Sequence, residues 1–523
     1  MVEKDNFEVV NTSQTELIKK KFQNFAINPI GSLFIISLLS LLIRLYYFPY
    51  NVPLTLDASL YFFYSTDMSI LKTFPLGYHF PNNGFPSFLS IFFTMFHSER
   101  FLDYMTLQRL VTISFSILTI IPVYFLCKKF VNKTYSLLGA ALFAFEPHII
   151  QNSLLGLTEP LYVFLVTTSL VLFLTKTKTT LYISFAVAAL SSLIRFEGLV
   201  FFLVLTIMFF IYFKGEKKII MRYIIAASIF VLVITPMIYV RTQTIGSEGL
   251  VSQVIGGANA AKLISADESY GLIGFFGKGL LNYFKYTGWI TLPFFIFLVP
   301  YGMITVFIKR TSENLTILTS IIILSIPALY AYSREIQETR YLLVLIPLFS
   351  IMSLFTIKKI EVKIKNRRLF LIMIVVIVLL SSVIFLEIRK YDYEHQRESF
   401  IVGEQIAKIA NGVNDYYPED IYLIPAQIPD KWPVLRSSFQ YHVSIFPTDG
   451  FDSLKNYIKF GKEKGLTHLV VDENQKRPDF LKDVFYHPDK YPYLKQVFDS
   501  NSVGFIYHVK IFQIDYDKFQ SET

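Results

Sequence analysis

Arg44, Asp57, Glu146, Glu159, Arg195, Glu197, Arg334, Glu335, Glu338 and Arg340 lie at the ends of long apolar runs or in the segments between them. Charge beside a hydrocarbon layer is expensive and is usually paired or functional. Carboxylates in such a setting can take a proton from a hydroxyl, and the planar fork of arginine fits phosphate oxygens. The foremost of these groups is Asp57, in the stretch Asn51-Val52-Pro53-Leu54-Thr55-Leu56-Asp57-Ala58-Ser59-Leu60-Tyr61. Each has a plainer reading as well. Thr55 and Asp57 precede a helix-like run and suit a cap. Glu159-Pro160 suits a helix start. Arg195 and Glu197 suit a paired turn, Arg334 and Glu338 an ion pair four residues apart, and Arg340 a side chain reaching for the interface. What sets them apart is that they fall on one face of the membrane part.

That face follows from the elements. The chain has 523 residues, 53% of them hydrophobic and only 17% charged, against roughly a quarter charged in soluble domains. Apolar stretches of spanning length are read at 30–48, 106–127, 134–150, 159–175, 180–195, 198–213, 219–240, 289–308, 313–331, 340–357 and 369–387, several shorter than the ~20 residues a straight span prefers. The expected class is an α-helical polytopic membrane protein of about eleven transmembrane helices. Lysines and arginines concentrate in alternate segments: Lys19 to Lys21, Lys128 to Lys133, Lys176 and Lys178, Lys214 to Arg222, Lys309 and Arg310, and Lys358 to Arg368. By the positive-inside rule these are cytoplasmic, as is the N-terminal segment 1–29, which carries no cleavable signal. The charged cluster is then outside.

Two outer segments of the membrane domain 30–388 are long. The first, 49–105, carries two apolar pieces, 58–71 and 85–97, expected to lie on the membrane as helices. The second, 241–288, holds several glycines and an amphipathic run from Gly271 to Tyr286, and is expected to form a lid. Residues 1–388 carry a net charge of +12 and 389–523 a net charge of −3, which marks a domain boundary. The region 389–523 reads as a soluble, extracytoplasmic α/β domain, with helices near 397–411 and 453–464 and strands at 421–424, at 468–471 and within 503–514. The basic balance reports orientation, not nucleic-acid binding. Cys127, the sole cysteine, excludes an internal disulfide. With His79 and His148 isolated, no metal site is expected, and no cofactor.

Leu56-Asp57-Ala58, Leu157-Thr158-Glu159-Pro160-Leu161-Tyr162, Leu193-Ile194-Arg195-Phe196-Glu197-Gly198 and Gln337-Glu338-Thr339-Arg340-Tyr341, in this order over about residues 30–360, resemble the membrane-embedded GT-C glycosyltransferases, particularly the dolichyl-phosphate-mannose protein mannosyltransferase-like group. The chain departs from that pattern in having Ala58 where many relatives have a second carboxylate. It also lacks the Trp-Trp-Asp signature of oligosaccharyltransferases, its only tryptophans being Trp289 and Trp432.

The resemblance implies transfer of a sugar, mannose or another hexose, from a polyprenyl- or dolichyl-phosphate donor to an acceptor hydroxyl, with inversion. The acceptor is a protein or a lipid-linked glycan, and membrane lipid is a partner. It implies Asp57 as catalytic base, Glu146 and Glu159 as positioning groups for acceptor or sugar, and Arg340 and Arg195, with Arg334 and Arg44 behind them, as ligands of the donor phosphate. A multi-pass prokaryotic plasma-membrane protein fits. Competing readings are a transporter or flippase for lipid-linked sugars and a non-catalytic receptor using the C-terminal domain.

Overall fold

The computed structural model describes residues 28–75, 83–98, 100–266, 271–410, 451–463 and 465–522. The N-terminal segment up to residue 27, which was expected to be cytoplasmic, His79 and the strand expected at 421–424 lie outside them. Asn28 accepts a hydrogen bond from the Ile30 N–H at 3.1 Å and Pro29 opens α1 (Pro29–Tyr46), a start that a capping asparagine before proline favours. Both apolar pieces of the first long segment are helical, as α2 (Leu56–Leu71) and α3 (Gly84–Met95). They pack through ring contacts such as Phe62 on Phe93, centroids 5.5 Å apart.

The chain continues through α4 (Phe101–Leu118), α5 (Ile120–Lys128), α6 (Lys133–Ala144), α7 (Pro147–Ser153), α8 (Glu159–Phe173), α9 (Lys178–Ile194), α10 (Glu197–Tyr212) and α11 (Ile219–Ile245). Then follow α12 (Val251–Ala266), α13 (Gly271–Ile290), α14 (Phe295–Ile308), α15 (Ser312–Leu324) and α16 (Ile326–Ser333). A 3-10 turn at Thr339–Leu345 leads into α17 (Ile346–Glu361), and α18 (Arg367–Ile388) ends the apolar part.

Among the described residues, six helical segments are long and apolar enough to cross a membrane, or seven if α13 and α14, bent by 117° at their junction, count as one span. Eleven were expected. The shortfall has a local cause: the expected span 134–150 breaks at Phe145-Glu146, while Glu159-Pro160 and Arg195 punctuate the next three, leaving helices of 15, 17 and 16 residues. The described part of the segment 241–288, expected to form a lid, is helical as the end of α11, then α12 and α13. Arg241 ties its corner down, donating from Nε to the Ser247 carbonyl at 3.1 Å and from Nη1 to Asn83. At the same corner burial works against the charge of Glu248, but the N–H groups of Leu250, Val251 and Ser252 outweigh it and hold its carboxyl below the usual range.

Burial sorts the spans. Thr339–Glu361 has 83% of its apolar window buried, against 11% for α1 and 17% for α18, so the stretch following Arg340 is the central rod and the other two face outward. Gly302 of α14 lies against the backbone of Met352 in α17, where a Cβ would collide with the carbonyl. Only glycine allows the two axes to come so close.

Beyond α18, α19 (Glu394–Ala410) joins the apolar part to a small domain of α20 (Leu454–Glu463), β1 (His468–Asp472), α21 (Asp479–Tyr486), β2 (Leu494–Asp499), β3 (Val509–Ile514) and α22 (Tyr516–Glu522). Its three strands form an antiparallel sheet in the order β1-β3-β2, with Leu469 opposite Phe512. The helix and strand expected at 453–464 and 468–471 are present; β2 was not foreseen.

α19 is anchored on both sides. Glu398 accepts from the N–H groups of Ile506 and Tyr507 at 2.9 and 2.6 Å, and Val402 packs with Val470, Val509 and Ile511 of the sheet. Phe400 enters a different cluster, with Leu54, Ala58, Phe62 and Met105 around the start of α2.

Phe400→Ala is expected to cost about 3 kcal/mol, as for other buried aromatics truncated to alanine, and to lower the melting temperature in detergent. Ile401→Ala, on the 38% exposed neighbour, should leave it within a degree or two.

Candidate active site

The site forms where the first turns of three helices meet the 3-10 turn. Asp57 lies in the first turn of α2, preceded by Thr55, which makes no capping bond with its own side chain. Glu159 is the first residue of α8 and is held there by Pro160. Arg195 ends α9 and Glu197 begins α10. This turn is tight because Gly198 presses on the backbone of Ser191 and Ser192, where a Cβ would collide. The Arg-x-x-Gly spacing read in the sequence thus has a steric reason, since it folds Arg195 and Glu197 back onto each other. The fourth contributor, Arg340, stands at the head of the 3-10 turn.

Together they form a chain of alternating charges. Arg340 Nη2 donates to Asp57 Oδ2 at 2.6 Å, and its Nε lies 3.7 Å from Glu338 Oε2 and 3.9 Å from Glu159 Oε1. Arg195 donates to Glu159 through Nη1, to Glu197 Oε1 through Nη2 at 2.7 Å, and to Thr158 Oγ1 at 3.0 Å. The Tyr341 ring lies beside both guanidiniums, at 5.6 Å from Arg195 and 5.9 Å from Arg340. The two ends of this chain differ in depth. Glu159 and Glu197 are buried with Arg195, whereas the Asp57 side chain is 43% exposed.

Three polar atoms here have no hydrogen-bond partner: Glu159 Oε2, Arg340 Nε and the Tyr162 hydroxyl. All three residues line one cleft, together with Arg195, Glu197, Tyr341 and the apolar side chains of Leu324, Pro327 and Val344. Buried polar atoms are nearly always satisfied, so a cluster of unsatisfied ones marks a place built for a ligand or for water. The cleft offers a carboxylate oxygen that accepts and two groups that donate, the pattern a sugar hydroxyl or a phosphate oxygen uses.

The other expected residues have different surroundings. Arg44 is fully enclosed and its guanidinium is spent on Ser153 Oγ at 3.1 Å, Ser116 Oγ at 2.8 Å, Ser40 and the Ala144 carbonyl. It joins α1 to α4, α6 and α7. Glu146 caps α7, accepting from the Ile149 N–H at 2.6 Å, and its other oxygen contacts His148 Nδ1 at 2.8 Å. Arg334 is exposed over the Tyr330 ring, and Glu338 pairs with Arg340 in place of Arg334. No group of three or more histidines, cysteines, aspartates or glutamates able to hold a metal occurs among the described residues.

Ala58, where a second carboxylate was missed, is buried in the Phe400 cluster, and its carbonyl accepts from Gln108 Nε2 at 3.0 Å. A carboxylate there would displace apolar packing. Tyr162 had not been singled out. It follows Glu159 by three residues, the spacing that puts two side chains on one helix face.

The family model described as predicted membrane protein (DUF2079) matches residues 22–410. No curated protein matches the chain. Among solved structures, an Archaeoglobus fulgidus oligosaccharyltransferase in complex with zinc and sulfate is similar at TM-score 0.54 and 13% identity, over 84% of this chain and 68% of that one. The archaeal oligosaccharyltransferase AglB from the same organism, in complex with an inhibitory peptide and a dolichol-phosphate, is similar at TM-score 0.52 and 13% identity, over 90% and 72%. ArnT from Cupriavidus metallidurans bound to undecaprenyl phosphate is similar at TM-score 0.54 and 9% identity, over 92% and 98%. At such identities the likeness is one of fold, and that fold is GT-C.

Arg195→Ala would leave Glu159 and Glu197 buried without their cation, a loss expected to cost about 3–5 kcal/mol and to appear as a large drop in melting temperature. Arg334→Ala, on an exposed side chain, should stay within about 0.5 kcal/mol of the parent.

Proposed function

The chain belongs to the DUF2079 family of predicted membrane proteins, and from that premise we propose that it is a glycosyltransferase that takes its sugar from a polyprenyl-phosphate donor. The observation that carries this reading is the Asp57–Arg340–Glu159–Arg195 cluster, in which a half-exposed carboxylate contacts a cation that also lines the cleft with Glu159 and Arg195, on a GT-C fold. The structures with dolichol-phosphate and undecaprenyl phosphate support a lipid phosphate as the donor's leaving group.

In this reading the acceptor hydroxyl gives its proton to Asp57 as its oxygen attacks the anomeric carbon. The bond from that carbon to the phosphate oxygen breaks, its electron pair goes to the phosphate, and Arg340 stabilises the leaving anion. Attack opposite the leaving group inverts the anomeric centre. Glu159, fixed by Arg195, keeps Oε2 free to accept from a hydroxyl in the cleft. Arg195 holds the carboxylates in place rather than meeting the phosphate, because both of its nearest anions are buried. The sugar is mannose or another hexose, the acceptor a protein or lipid-linked glycan, and the site faces outward with the N-terminus cytoplasmic.

Asp57→Asn should lower transfer from a polyprenyl-phosphate sugar about 10²–10⁴-fold, the usual contribution of a general base, with the protein still inserted and folded. Near-normal turnover would remove Asp57 from that role. A protein that only moves the lipid across the bilayer would release no polyprenyl phosphate from the donor.

A further inference from the structure

We propose that the Asp57–Arg340 pair is a self-occupied phosphate site: in the resting protein the carboxylate sits where a donor phosphate oxygen binds, and exchange of the two frees the base. The inference rests on the polyprenyl-phosphate reading above and adds the order in which the site is used.

The occupancy of Arg340 points to this. A guanidinium presents Nε and Nη2 along one edge, the edge that a phosphate or carboxylate grips with two oxygens. Asp57 takes Nη2 with one oxygen at 2.6 Å. Nε has no hydrogen-bond partner, since Glu159 and Glu338 stop at 3.9 and 3.7 Å. The fork is half filled. A tetrahedral phosphate can span both nitrogens, so it gains a bond that the resting pair does not make.

Release of Asp57 is also easy. Its side chain is 43% exposed, against 20% for Arg340, so water can take over the solvation of the carboxylate. Set free, the carboxylate remains in the first turn of α2, where the helix N-terminus still favours its charge. The contrast with Arg195 is direct, because its partners Glu159 and Glu197 are buried and cannot move to water. One arginine is fixed and the other is exchangeable.

Three consequences follow. The donor binds before the acceptor hydroxyl is activated. Without donor, Asp57 is tied up and does not activate water. After transfer, Asp57 passes the proton it took to water, and the carboxylate so restored competes for Nη2 and helps expel the polyprenyl phosphate.

The test uses the full chain in detergent and undecaprenyl phosphate as the probe, with binding measured for the parent, Asp57→Asn and Arg340→Ala. Removing the competing carboxylate should tighten binding about threefold to fivefold, the worth of an exposed ion pair, and Arg340→Ala should weaken it about tenfold or more. Asp57→Ala serves as a second variant and should tighten binding as well. Unchanged or weaker binding in both Asp57 variants, with Arg340→Ala still weakened, would overturn the exchange while leaving Arg340 as the phosphate ligand. Equal binding in the parent and Arg340→Ala, or none in any form, would overturn the donor reading and the exchange with it.

Discussion

Charge buried among apolar helices must be compensated, and the candidate site obeys that constraint at every member. Arg195 is tolerable at its depth because Glu159 and Glu197 flank it, and they are tolerable because of Arg195. Arg340 extends the series outward to Asp57, where water shares in the solvation. Depth therefore divides the labour. The inner part is a fixed electrostatic scaffold, and the outer part has the freedom that chemistry needs. The same constraint explains the local backbone: Gly198 folds the turn tightly, and Pro160 starts a helix at the very residue whose carboxylate must face Arg195.

How much of this was legible in the sequence depends on the range of the contacts. Asp57, Glu159, Arg195 and Arg340 stand in short segments that resemble GT-C motifs, and the pairing of Arg195 with Glu197 is a contact two residues apart. Glu146-Pro147 and Glu159-Pro160 look alike on paper, yet the first spends its carboxylate on its own helix and the second turns it to Arg195. That choice is made by a partner 36 residues away, which no local pattern encodes. The surroundings of Arg44 were hidden for the same reason, since apart from Ser40 its partners lie 72 to 109 residues off. The helix count fell short because apolar length was read through Phe145-Glu146, where the structure breaks, and because the three helices that follow Glu159 are only 15, 17 and 16 residues long.

The C-terminal region shows both outcomes within one domain. His468–Asp472 was legible as an apolar strand bounded by polar residues, and all five of its residues are buried. β2, with Lys495 and Gln496 exposed at an edge, carries too few apolar residues to stand out. The helix α19 was expected near 397–411, but not that its Phe400 and Val402 serve two separate clusters. Ala58 acquires its meaning only there, as a small residue under an aromatic cluster rather than a lost carboxylate.

The anchoring of α19 on the start of α2 has a consequence in time. Synthesis delivers Asp57 early, Arg340 well past the middle and Phe400 later still. The inner scaffold of Glu159, Arg195 and Glu197 comes from a short stretch and can close while the ribosome is still at work. The outer half cannot. A nascent chain that stalls before Arg340 is made can embed its early segments in the bilayer, yet it lacks the cation that links Asp57 to the inner scaffold. Completion of the cluster is thus among the later events of biogenesis.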